Sequence, residues 1–174
     1  IGRSIIHYGA QYAWLYALLL IPLAQLFAVE FTAPLWVAIL APVFLLERLT
    51  WPRILAGIVG FAGVLLVVRP GAMTVSTGVL IGLVSALGFA SSMICTKRLT
   101  RTDSPFKIIF WMHALQTLMG LIPMGQGYTV PDPVTWAWIG VVAICGLTAH
   151  YGLAKAFSLA DAIVVAPLDF LRLP

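Results

Sequence analysis

The feature that most constrains this chain is a series of apolar runs that are hydrophobic on every side of a helix. One of them, FTAPLWVAILAPVFLLERLTW at residues 31 to 51, carries no charge before Glu47. A helix that is apolar all round belongs in a large protein core or in lipid. Only 9% of the 174 residues are charged, whereas a soluble domain has about 25%. The sequence therefore predicts an all-α integral membrane protein whose main partner is the lipid bilayer.

Charges, prolines and glycines divide the chain into six membrane spans and the beginning of a seventh. We predict the spans at 5–28, 31–46, 54–68, 75–96, 106–125 and 135–157, with the last starting near residue 162. The second and third are short for a hydrocarbon layer of about 30 Å, so they require tilted helices or snorkelling ends. The expected fold is a multi-span helical bundle.

The basic residues alternate between the two sides of the membrane that these spans imply. One side holds the junction at Glu30, Arg69 alone and the Asp132 loop. The other side holds eight basic residues: Arg3, Arg48, Arg53, Lys97, Arg98, Arg101, Lys107 and Lys155. Cytoplasmic loops carry an excess of Lys and Arg. We therefore expect a cytoplasmic N-terminus in a bacterial inner membrane, with the basic loop 97–107 facing lipid headgroups and not nucleic acid.

Small residues recur every four positions in two of the spans. The fourth span carries Gly78, Gly82, Ala86 and Ala90, and the sixth carries Thr148, Gly152 and Ala156. Such rows let the backbones of neighbouring membrane helices approach closely. We expect both rows to be packing surfaces without chemistry of their own.

Two stretches of the chain resemble a known transporter family. The run YALLLIPLAQLFAVEFTAPLWVAILAPVFLLERLTWPRILAGIVGFAGVLLVVRPG has a polar end to one span, a Pro early in the next and a Glu that closes it. The run YGLAKAFSLADAIVVAPLDFLRLP follows the same plan. Both resemble the EamA family of the drug/metabolite transporter (DMT) superfamily. In that family the residue before the closing Glu is often Gly, whereas here it is Leu46.

The resemblance implies ten helices in two inverted repeats of five. Residues 1–70 would then be the end of the first repeat, with three spans. Residues 71–174 would be the start of the second repeat, with three spans and part of a fourth. Because the chain starts without Met and stops inside an apolar run, we interpret it as an internal fragment covering roughly helices three to nine, incomplete at both ends.

Polar side chains inside a membrane are expensive, so each one is a candidate site residue. Asp169 would lie about 10 Å into the last span by helical rise, and Arg172 could pair with it on one face. The pair either lines a cavity, binding a charged group or taking up a proton, or it neutralises itself and orients the helix.

Further candidates for substrate binding lie on three other spans. Gln11 and Tyr16 belong to a polar and aromatic face of the first span, which suits either a moderately hydrophobic metabolite or contacts between helices. Trp36 could form a cavity wall. His150 and Tyr151 lie on the sixth span, which the resemblance places beside the family's central cavity.

Two prolines and one charged pair mark expected helix ends. Pro34 and Pro167 lack a backbone N–H and can free a carbonyl towards a cavity, so we predict helix breaks with a gating role. Glu47 and Arg48 close the second span, and we expect a structural role in the turn into the third.

The sequence offers no sign of an enzyme, a metal site or a cofactor. It lacks the usual nucleophile, zinc and phosphate-loop motifs, and Cys95 and Cys145 both lie in apolar runs. A membrane enzyme is therefore not expected.

The predicted function is secondary transport of a small metabolite, by alternating access around a cavity at the membrane midplane. The resemblance implies amino-acid-like compounds or other organic solutes, often exported. Protons are a candidate coupling ion, and a homodimer is a candidate assembly. The alternative is a non-transporting membrane scaffold or assembly subunit, in which polar residues would be scattered and not gathered around one cavity.

Overall fold

The computed structural model describes residues 1–68, 76–124 and 129–172, with the side chains in those ranges except 53, 64–68, 124 and 172. The described residues form helices and connecting segments without any strand. The helices are α1 (Gly2–Leu18), α2 (Leu23–Glu30), α3 (Ala33–Leu45), α4 (Trp51–Val68), α5 (Thr77–Leu99), α6 (Pro105–Met124), α7 (Pro133–Leu159) and α8 (Ala162–Val165). After α8 the chain continues as a 3₁₀ segment, Ala166–Arg172.

Several segments of the described chain are long and apolar enough to cross a bilayer. They are Leu23–Leu45, Thr77–Leu99, Pro105–Pro123 and Pro133–Leu159, while Ile54–Gly63 and Ala162–Leu171 are shorter apolar helices. The prediction of an all-α, multi-span membrane protein is confirmed.

The predicted boundary between the first two spans is wrong. α1 ends at Leu18, and Pro22 stands directly before α2, because proline cannot continue the preceding helix but suits the start of a new one. α2 and α3 then form one apolar segment, Leu23–Leu45, which is interrupted after Glu30. Glu30 is therefore not at an outer junction: it lies about 10 Å along this segment by helical rise.

α5 packs antiparallel against α1 at Ser85 and Gly88, and its row of small residues is buried against neighbouring helices. A Cβ added to Gly88 would lie only 2.7 Å from Cβ of Ala10, and Ser85 donates a hydrogen bond of 2.8 Å to the Ala10 carbonyl. Ala86 and Ala90 are fully buried. The packing role predicted for the small residues of α5 is confirmed.

The second row of small residues behaves differently. A Cβ added to Gly152 would meet no heavy atom within 4 Å, and Thr148 is exposed. Ala156 packs against the buried core around Val37, so among the described residues the packing expectation fails for Thr148 and Gly152 but not for Ala156.

α3 ends in a backbone conformation that explains the family's preference for glycine. Leu46 has φ 60° and ψ 29°, in the left-handed region, which costs a residue with a Cβ roughly 1–2 kcal/mol. Leu46 is also 83% exposed, so the backbone angle, and not close packing, favours glycine at this position.

Replacing Leu46 with glycine is expected to stabilise the protein. The substitution relieves the left-handed strain, so we expect Tm of the full-length protein in detergent to rise by about 2 °C. Leu49→Gly, in the same connection but without positive φ, should leave Tm unchanged or lower it. A Tm gain in both variants, or in neither, would contradict this explanation.

The α1–α5 contact provides a second test. Gly88→Ala places a methyl group against Ala10, and overpacking of this kind costs about 1–3 kcal/mol. We expect a lower Tm in detergent. Gly57→Ala in α4, where an added Cβ meets nothing within 4 Å, is the matched control and should not lower Tm. Equal Tm values for the two variants would mean that α1 and α5 are not in close contact.

Candidate functional site

A cavity of about 690 Å³ lies among α1, α2, α5, α7 and the 3₁₀ segment. Its aromatic walls come from Trp14, Phe27 and Phe89. Its polar and charged lining residues are Arg3, His7, Gln11, Glu30, Ser92, Thr96, His150 and Asp169. So many polar groups around one half-open cavity are unusual for a chain that is 61% hydrophobic.

One face of α1 supplies a polar wall of this cavity. Arg3, His7, Gln11 and Trp14 are spaced by four, four and three residues, which places them in a row along one side of a helix. The row runs for eleven residues, or about 16 Å at the helical rise. α1 therefore presents a cation at one end of the row and an indole at the other.

The two ends of this row are held by hydrogen bonds to other helices. At the first end, Nε of Arg3 donates to Oγ1 of Thr96 on α5 at 2.7 Å. At the other end, Nε1 of Trp14 donates to Oε2 of Glu30 at 2.7 Å. The Glu30 carboxylate is thus held inside the bundle, at the break between α2 and α3.

Histidines from three helices meet beside the cavity. The ring centroids of His7 and His150 are 4.9 Å apart, and those of His113 and His150 are 6.2 Å apart. Nε2 of Gln116 lies 2.8 Å from Nδ1 of His7. Since an amide nitrogen can only donate, Nδ1 of His7 accepts this hydrogen bond. In the part of the chain that the structure describes, these rings do not belong to a group of residues that could hold a metal ion.

The structure brings together three of the site residues predicted from the sequence. Gln11, His150 and Asp169 come from α1, α7 and the 3₁₀ segment, and all three line the cavity. Arg172, the expected partner of Asp169, has a side chain outside the described residues. The binding roles of these residues stay predictions.

Three other predicted residues lie away from the cavity lining. Tyr16 is 51% exposed because it stands two residues, or about 200° of helix rotation, beyond Trp14. Tyr151 follows His150 and points to a different, apolar cavity of about 570 Å³ between α6 and α7. Trp36 packs against the buried core around Val37.

The two prolines predicted to break helices border the cavity. Pro34 is buried in the first turn of α3, directly after the lining residue Ala33. Pro167 stands between the lining residues Ala166 and Leu168, where the α-helical conformation changes to 3₁₀. A gating role for the pair stays a prediction.

Glu47 reaches a different part of the chain from the one expected. The sequence predicted a role in the turn between α3 and α4, beside Arg48, which is exposed. Instead the buried Glu47 carboxylate accepts hydrogen bonds from the backbone N–H groups of Ala162 at 2.9 Å and Ile163 at 3.0 Å. The first N–H groups of a helix have no acceptor within the helix itself, and a negative charge is favoured beside them.

Basic side chains complete the same end of the bundle. Nζ of Lys97 donates to the carbonyl oxygens of Phe157 at 2.8 Å and Ala160 at 2.7 Å, at the C-terminus of α7. Nη2 of Arg101 donates to the Leu45 carbonyl oxygen at 2.9 Å, at the C-terminus of α3. The basic loop therefore supports helix ends, in addition to the topological role predicted for it.

The fold and the cavity together define a polytopic helical membrane protein with a half-open cavity that polar and charged residues line. The model of the EamA-like transporter family matches residues 1–69 and 76–172. The chain belongs to the EamA-like transporter family.

Comparison with known proteins adds named relatives and a solved fold. The chain is 33% identical to a riboflavin transporter of Brucella anthropi, over 95% of this chain and 60% of the relative. It is 29% identical to an S-adenosylmethionine uptake transporter of Rickettsia conorii, over 98% of this chain and 58% of the relative. One crystal structure has the same fold with a TM-score of 0.77 at 20% identity, covering 94% of this chain and 61% of that one. The chain thus spans about three fifths of the length of these proteins.

Sequence reasoning missed two charged residues of the cavity. Arg3 was counted only among the topological charges, and Glu30 was placed outside the membrane. The four-residue spacing of Arg3, His7 and Gln11 could have indicated the first, because it puts Arg3 on the same face as the predicted Gln11. No local signal indicates the position of Glu30, because it depends on α2 and α3 joining into one span.

Removing the Glu47 carboxylate is expected to destabilise the start of α8. Glu47→Ala leaves the N–H groups of Ala162 and Ile163 without their acceptor, and hydrogen bonds to a charged group contribute about 1.5–3 kcal/mol. We expect a lower Tm in detergent and faster amide exchange at residues 162 and 163. Asp103→Asn, in the loop before α6, is the control. Unchanged exchange at those two amides would rule out the capping role.

Proposed function

We propose that the full-length protein is a secondary transporter that moves a small organic metabolite by alternating access around the 690 Å³ cavity. The observation that carries this proposal is the convergence of Arg3, Gln11, Glu30, His150 and Asp169 on one compartment. Ionisable residues within membrane spans tend to face a pathway or a binding site. A scaffold subunit would not require these polar residues to line one cavity.

The proposed substrate is a metabolite with a flat nitrogen heterocycle. Family relatives are named for riboflavin and for S-adenosylmethionine, and both compounds carry such a ring system. In the cavity, Trp14, Phe27 and Phe89 offer aromatic surfaces for stacking, and Gln11 and His150 offer hydrogen-bonding groups. S-adenosylmethionine also contains an amino-acid group, so of the amino-acid-like substrates that the resemblance implies, the proposal keeps those that carry such a ring.

The direction of transport and the coupling ion are further parts of the proposal. Export is the direction that the family resemblance implies, whereas the relative from Rickettsia conorii is named an uptake transporter. We propose proton coupling through Asp169 or a cavity histidine, since both residue types can change protonation during a transport cycle. The assay must therefore measure both directions and vary pH.

The membrane setting follows the sequence expectations. We propose the bacterial inner membrane, with the start of the chain on the cytoplasmic side, and a division into repeats at 1–70 and 71–174. In this proposal the two repeats rock against each other, and the helix breaks at Pro34 and Pro167 act as gates to the cavity. A homodimer stays the candidate assembly.

Transport by the purified full-length protein tests the proposal. Proteoliposomes should accumulate radiolabelled riboflavin or S-adenosylmethionine faster than protein-free liposomes, and loaded proteoliposomes should release the same compound. Each measurement is made with and without a pH gradient. Rates equal to those of protein-free liposomes for both compounds, in both directions, would contradict the proposed substrate class.

Asp169→Asn tests proton coupling. The substitution keeps the size of the side chain but removes its titration, so we expect the pH-dependent part of transport to fall by at least about tenfold while the protein still inserts. Asp103→Asn, outside the cavity, is the matched control and should transport normally. Normal pH-dependent transport by Asp169→Asn would refute the role of this residue.

A further inference from the structure

We propose that Arg3 is a substrate-recognition residue, whose Nη1 group donates a hydrogen bond to an anionic or carbonyl oxygen of the transported molecule. The inference deepens the proposed function and rests on it. It adds a second chemical requirement to the flat ring system: an acceptor oxygen at the end of the molecule that faces Arg3.

The burial of Arg3 is the first reason. A basic residue near a membrane-helix end normally extends its head towards water, and the sequence pattern predicts that behaviour here. Instead the Arg3 side chain turns into the bundle, where the residue is only 7% exposed and lines the cavity. Since a buried guanidinium is costly without partners, its position calls for a compensating group.

The hydrogen bonding of Arg3 is the second reason. Thr96 donates its hydroxyl proton to the Ser92 carbonyl oxygen at 2.7 Å, so its oxygen is available to accept from Nε of Arg3. This bond holds one edge of the guanidinium against α5. Nη1 is buried and has no hydrogen-bond partner among the described residues. Arg3 lines the cavity, so a small rotation of the guanidinium plane would turn this spare donor towards a bound acceptor oxygen, which a planar guanidinium binds well.

The rest of the cavity limits which molecules can use this donor. Trp14 and Glu30 lie at the other end of the α1 row, about 16 Å from Arg3 along the helix, and Phe27 and Phe89 line the same cavity. The arrangement points to an elongated molecule with acceptor oxygens at one end and a flat ring system. A carboxylate, or the conjugated carbonyl groups of a heterocycle, meets the requirement at Arg3.

Kinetics of Arg3 variants of the full-length protein test the proposal. The probes are riboflavin and S-adenosylmethionine in proteoliposomes. Losing a hydrogen bond from a charged donor should raise KM about ten- to hundredfold in Arg3→Gln, and Arg3→Lys should recover part of the loss by keeping the charge. Lys107→Gln removes a positive charge from an exposed position of α6 and should leave KM unchanged.

Chemical protection keeps the proposal testable if Arg3→Gln does not fold. Phenylglyoxal modifies arginine side chains, and peptide mass spectrometry reports the modification of each one separately. A saturating concentration of the compound that binds should slow modification of Arg3 in the wild-type protein, with Arg101 outside the cavity as the internal control. Protection of Arg3 alone supports the assignment.

The results separate this inference from the proposed function. Transport by the wild type, together with an unchanged KM in Arg3→Gln, would overturn the role of Arg3 alone. If phenylglyoxal modifies Arg3 and neither compound slows that modification, the role of Arg3 is overturned whatever the transport result. Protection of Arg3 without transport would support the recognition site and contradict the transport proposal.

Discussion

The structure depends on one constraint: backbone N–H and C=O groups at helix ends and breaks that are shielded from water must find partners within the protein. Charged side chains from distant parts of the chain meet this requirement. Glu47 accepts from the start of α8, Lys97 donates to the end of α7, and Arg101 donates to the end of α3. Each of these bonds also joins two helices that are far apart in sequence, so the same contacts that satisfy the backbone hold the bundle together.

The same constraint explains where the cavity lies. The helix interruption after Glu30 and the change to 3₁₀ geometry at Ala166 both border the cavity, where non-helical backbone is tolerated inside a membrane protein. Glu30 and Asp169 stand beside these interruptions and line the compartment. Charged groups, irregular backbone and a half-open cavity therefore occur together in the described part of the chain.

Residue types and spacing predicted much of the helical bundle, but not which cavity each polar residue faces. The small residues of α5 are visible as a four-residue repeat and are buried against neighbouring helices, because helix periodicity is a local property. Tyr151 and His150 are neighbours in sequence and face separate cavities. Leu46 shows a further limit, because a glycine preference has two physical explanations, and only the observed φ of 60° distinguishes them.

The sequence by itself determined the solvent of this protein, its helical class and its family, because apolar runs without charge have few other stable settings. It also indicated Gln11, His150 and Asp169, since polar groups within such runs are conspicuous. Only the tertiary structure decided that Arg3 turns inward and that Glu30 lies within a span. Both outcomes depend on partners more than ten residues away, Thr96 for Arg3 and Trp14 for Glu30. A charge near a helix end looks the same in sequence whether it faces water or a cavity.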